Sequence, residues 1–102
     1  MNLVTESNVA TRVTASGVTN INGANNLVLY GIMANSGTPG TVNLYHGQTT
    51  GTATAIIASS ISLVTGVMVY PRVYCSGGLA VLVTGWTTPD ITFYWSQMPG
   101  QT

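Results

Sequence analysis

Glycine- or asparagine-rich breaks recur about every eight to twelve residues along this chain, the spacing of turns between short strands. The segments between the breaks are dominated by threonine and valine, whose β-branched side chains suit an extended backbone. No stretch of about eleven residues keeps a helical apolar stripe free of glycine or proline, so no helix is predicted. Strands are predicted at about Val9 to Ala15, Val18 to Asn22, Leu27 to Ala34, Thr41 to His46, Ala53 to Ile57, Val67 to Tyr74, Leu79 to Thr84 and Ile91 to Trp95. Some eight short strands in one domain predict an all-β, compact antiparallel β-sandwich of jelly-roll or Ig-like type.

The 102 residues suit one domain, residues 1–102, with residues 1–8 and 96–102 read as N- and C-terminal arms that order on neighbouring subunits. Hydrophobic residues make up 45% of the chain and charged ones 4%, against roughly 25% charged in ordinary soluble domains. Glu6, Arg12, Arg72 and Asp90 are the complete charged set. So apolar a chain with zero formal net charge is predicted to pack a core rather than stay disordered. Two arginines offer little to neutralise phosphates or an anionic bilayer, so neither nucleic acid nor membrane is an expected partner. The start of the chain lacks the basic and apolar regions of a signal peptide, which predicts use without secretion. Cys75 is the only cysteine and is read as a small buried thiol at a strand end.

Alternation assigns the faces. Ile91, Phe93 and Trp95 share one side of their strand, and Val42 and Leu44 point inward against Thr41, Asn43 and Tyr45. Leu27 to Ala34 is apolar on both sides. Val67 to Tyr74 sets Val67, Val69, Pro71 and Val73 against Met68, Tyr70, Arg72 and Tyr74, and the second set is predicted to form an inter-subunit surface. Methionine, tyrosine and arginine are enriched in interface cores, and an arginine can lie on a tyrosine ring. The connections Asn35 to Gly40 and Cys75 to Gly78 carry turn residues and are predicted to make hairpins.

Catalytic groups are scarce. His46 ends a strand without a second histidine, a cysteine or paired carboxylates at ligand spacing. Glu6 and Asp90 fall on an arm and in a turn, no Gly-x-Ser-x-Gly elbow occurs, and the glycines do not gather before a helix. No enzyme activity, metal or cofactor is expected. If the chain instead binds a receptor or carbohydrate, the aromatic candidates are Tyr45, Trp86 and Trp95. Trp86, in the loop Gly85 to Pro89, is the best candidate for exposure, with a loop tryptophan that plugs the end of the sandwich as the equal alternative.

Several stretches carry a resemblance: Val13-Thr14-Ala15-Ser16-Gly17-Val18, Leu29-Tyr30-Gly31-Ile32, the run Asn35 to Gly47, Gly77-Gly78-Leu79-Ala80-Val81, and Pro89-Asp90-Ile91-Thr92-Phe93-Tyr94. From Val13 to Tyr94 the chain resembles small β-sandwich virion proteins of tailed bacteriophages that decorate or cement the capsid. Sequences of that kind usually carry an acidic residue where His46 stands. The resemblance implies a non-enzymatic protein on the capsid surface, assembled in the host cytoplasm, that binds major capsid protein subunits, with a receptor- or carbohydrate-binding module of a phage tail, fibre or neck as the alternative. It also implies a homo-oligomer with threefold order, whereas sequence physics alone ranks a twofold dimer first.

Overall fold

The computed structural model describes residues 8–38, 40–47 and 56–97. Among the described residues extended backbone dominates, in nine strands: β1 Asn8–Val13, β2 Gly17–Ile21, β3 Leu27–Thr38, β4 Thr41–His46, β5 Ile56–Ser62, β6 Met68–Val69, β7 Val73–Cys75, β8 Leu79–Thr84 and β9 Thr87–Gln97. They form two antiparallel sheets. One runs β1-β9-β3-β6 with β7 also on β3, and the other runs β2-β8-β4-β5. Taken with β6 and β7 as one interrupted strand, the pairs β1·β9, β2·β8, β3·β6/β7 and β4·β5 are those of a long hairpin folded over itself. That is jelly-roll order rather than Ig-like order.

The two faces predicted inward meet in the middle. Ile91 and Phe93 of β9, Val42 and Leu44 of β4, and Leu79, Val81 and Val83 of β8 are fully buried together. β3 explains its own doubly apolar sequence. Its register against β9 slips between Leu29 and Gly31, because Leu29 pairs with Trp95 while Gly31 pairs with Tyr94. Tyr30 is the extra residue of a β-bulge, and the slip moves the inward phase by one position. Leu27 and Leu29 therefore reach the core before the bulge, and Ile32 and Ala34 reach it afterwards.

Several expectations need correction. Asn35 to Gly40 does not close a hairpin: β3 continues to Thr38, and β4 lies in the opposite sheet beside β8 and β5. β3 already has β9 on one side and β6 and β7 on the other, so no edge of it is left for β4. Cys75 to Gly78 likewise crosses between the sheets, from β7 to β8. Asn8, Ser96 and Gln97 are paired strand residues and not parts of arms; residues 1–7 and 98–102 lie outside the described residues. β5 begins at Ile56, and the predicted positions 53–55 also lie outside.

The crossing at Cys75 to Gly78 needs its glycines. Gly78 has φ +103°, its carbonyl accepts the Gly47 N–H at 3.0 Å, and a side chain there would run into the Gly23 carbonyl. Gly66, with φ +83°, faces open space. Gly66→Ala should therefore cost only backbone strain, roughly 1–2 kcal/mol, and Gly78→Ala clearly more. Urea denaturation of the two variants measures the difference; equal losses would contradict the close packing at Gly78.

Candidate interaction surface

β6 and β7 line one edge of the first sheet. Val69 and Val73 pack toward the core, while Met68 pairs with Met33 and Tyr74 with Val28 on the outer side. Between the two strands the expected continuous run Val67 to Tyr74 breaks. Pro71 has no N–H to give a ladder, and Arg72 sits at φ +52°. Val67, expected inward, is instead exposed in the turn that precedes β6.

The break leaves an aromatic surface. Tyr70 is 63% exposed and Tyr74 48%, and Arg72 is exposed with its Cζ 5.8 Å from the centre of the Tyr70 ring. At that distance the guanidinium meets the negative face of the ring. Met68 is half-buried, and its Sδ occupies the space a side chain at Gly31 would fill. Three of the four residues predicted for an interface, Tyr70, Arg72 and Tyr74, are thus open to solvent, and Met68 is half-buried beside Gly31. Tyr30 was missed. It is 38% exposed because the bulge turns it outward, and a glycine inside a strand, here Gly31, is the sequence sign of such a bulge.

Trp86 requires a correction. It is 8% exposed, and its indole N–H donates to the Thr41 carbonyl at 3.1 Å, so it plugs the end of the sandwich. Trp95 is equally buried and donates to Thr11 Oγ1 at 2.9 Å. Tyr45, expected on the outer face, is buried as well and pairs across the ladder with Ala80. A large ring covers surface that a short neighbour leaves open.

The ionisable groups have structural partners. His46 Nδ1 accepts the Ser76 N–H at 3.0 Å, and Asn26 Oδ1 accepts the Gly77 N–H at 2.7 Å, so the two side chains fix the turn before β8. An acidic residue at position 46 could accept the same bond. Asp90 accepts from Arg12 Nε at 2.7 Å and Arg12 Nη2 at 2.6 Å, and from Asn35 Nδ2 at 3.2 Å. Arg12 holds the Asp90 carboxyl below the usual carboxylate range. Burial pushes the Cys75 thiol up to about 12, which removes thiolate reactivity at neutral pH. Among the described residues no three histidine, cysteine or acidic side chains gather where a metal could bind.

With the fold and this surface in view, comparison with known proteins finds one relation of shape. No protein-family model matches the chain, and no curated protein does. Among solved structures, the chain is similar to one from Bacillus endospore appendages, described as forming a novel family of disulfide-linked pili. The TM-score is 0.57 at 19% identity, covering 91% of this chain and 86% of the other. The likeness is one of fold.

The Arg12–Asp90 pair has a testable pH signature. The folded carboxyl titrates lower than an unfolded one, so the pair's stabilisation is full above the ordinary carboxylate pKa of about 4. It is lost as pH falls through the depressed folded value. Asp90→Asn should flatten the decline of the thermal midpoint below about pH 4; an acid limb identical to that of the parent would contradict the assignment.

Proposed function

We propose that this chain is a non-catalytic structural subunit of a tailed-bacteriophage virion, decorating or cementing the capsid by binding major capsid protein subunits and copies of itself. The observation that carries the reading is the exposed set Tyr30, Tyr70, Arg72 and Tyr74 on a chain with four charged residues. Aromatic and arginine side chains of this kind make strong interface anchors, and few charges oppose association. The jelly-roll order supports the reading too, since capsid proteins are among the users of that fold.

A pilus-like filament of this chain alone is the second reading, favoured by the similarity to the endospore appendage chain. Cys75 could not link such a filament by disulfides without unfolding, because it is fully buried. The receptor- or carbohydrate-binding alternative has less support. Its three aromatic candidates, Tyr45, Trp86 and Trp95, are all buried.

Copy number in purified virions, counted against the major capsid protein, tests the place of the chain. Many copies per particle support decoration, whereas absence from particles together with filaments of purified protein supports the second reading. The surface itself is tested by Arg72→Glu, which places a carboxylate among Tyr70 and Tyr74 and leaves the inward Val69 and Val73 alone. Light scattering should give a folded variant of lower assembly mass than the parent. An unchanged mass would put the interface elsewhere.

A further inference from the structure

The two sheets have four edges, and they are not alike. The β6–β7 edge is interrupted by Pro71 and by the positive φ of Arg72. The β5 edge slips register twice against β4, and Ser60 within it has φ +55°. Bulges, prolines and breaks of this kind prevent another strand from adding to a sheet. β1 carries none of these features, and β2 has only a positive φ at its first residue, Gly17. β1 keeps an unbroken register with β9 from Asn8 to Val13, and β2 keeps one with β8 from Gly17 to Ile21. Neither strand contains proline or lysine.

Both uninterrupted edges lie on one side of the sandwich, because β1 ends at Val13 and β2, in the other sheet, begins at Gly17. Each pairs with a strand on one side alone among the described residues. An antiparallel ladder directs alternate backbone groups away from its partner, so each edge offers unpaired N–H and C=O groups to an extended chain. The charge on this side is already neutralised. Arg12, the one charged residue of β1 and β2, is held at Nε and Nη2 by Asp90 of its own chain.

We infer that the β1–β2 side is a self-pairing edge, at which β1 of one copy adds antiparallel to β1 of a second copy and β2 adds to β2. A second copy fits this edge better than a foreign peptide, because one twofold axis normal to the layers satisfies both strands at once with the same surface on each subunit. Charge favours it as well, since two copies of this side meet without net repulsion. This pairing deepens the assembly reading, and it uses the side of the sandwich opposite the Tyr70–Arg72–Tyr74 surface. A subunit with separate interfaces on two sides can extend into a lattice or a filament.

The test uses the Arg72→Glu chain, in which the aromatic surface is disabled, so that the two interfaces are read apart. Light scattering should find it as a dimer. Hydrogen exchange of β1 and β2 amides should be slower in a concentrated sample than in a dilute one. Adding Ala10→Lys and Val18→Lys, both at exposed side chains, sets like charges across the proposed ladders and should halve the mass while circular dichroism stays unchanged. A monomeric Arg72→Glu chain, or β1 and β2 exchange that ignores concentration, would overturn the edge pairing and leave the aromatic surface intact. A dimer that survives both lysines would overturn it as well. The exchange measurement needs no further substitution, so it decides the matter even if the lysine variant unfolds.

Discussion

β3 and β9 run antiparallel through the middle of one sheet, and the single residue Tyr30, inserted opposite Trp95 and Tyr94, decides which side chains of β3 reach the core. Without the slip, Leu27 and Leu29 would face one way while Ile32 and Ala34 faced the other. With it, all four join Phe93 and Ile91 in one buried layer. The same pairing occupies one side of β3 and leaves the other to β6 and β7. β4 is thereby sent to the opposite sheet, where its Val42 and Leu44 close the core from across the sandwich.

The outward consequence of the bulge is the exposed aromatic surface. Tyr30 leaves the core side, Gly31 leaves room for Met68, Tyr70 stands exposed at the break before Pro71 and Arg72, and Tyr74 of β7 faces outward opposite Val28. Arg72 then stacks on Tyr70. The remaining polar chemistry is spent on holding the framework. Arg12, Asp90, Asn35 and Thr92 form a bonded network on the outer face, and His46 with Asn26 fixes the turn that carries the chain into β8.

Much of this was legible in the sequence where turn residues bound a β-branched or apolar run, or where one side of a strand is apolar and the other polar. Thr41 to His46 and Leu79 to Thr84 match β4 and β8 end for end, and the inward sets of β4 and β9 follow from alternation alone. Legibility failed where local pattern and tertiary pairing part company. A bulge cannot be distinguished from a two-sided apolar strand by counting alternation, so Tyr30 stayed hidden. Turn residues specify that the chain bends but not which sheet receives it, so Asn35 to Gly40 passed for a hairpin. Trp86 stands in a polar stretch, and its burial rests on contacts distant in sequence: packing in the core cluster and a bond to the Thr41 carbonyl, 45 residues away. The positive φ of Arg72 was likewise beyond reach, because arginine has no preference for that region.

A chain of this composition has little electrostatic means of either repelling or attracting its own copies. Arg12 and Asp90 neutralise each other, and Arg72 meets a tyrosine ring. On the proposed reading, association rests on aromatic contact and backbone hydrogen bonds, which salt screens weakly, whereas surface ion pairs lose their reach at about 1 M salt, where the Debye length is roughly 3 Å. Sedimentation equilibrium of the purified chain at low salt and at about 1 M salt is the direct test. Self-association that persists or strengthens in high salt is the expected result. A monomer under both conditions, or an assembly that dissolves as salt rises, would contradict a structural subunit that associates through aromatic contact and backbone hydrogen bonds.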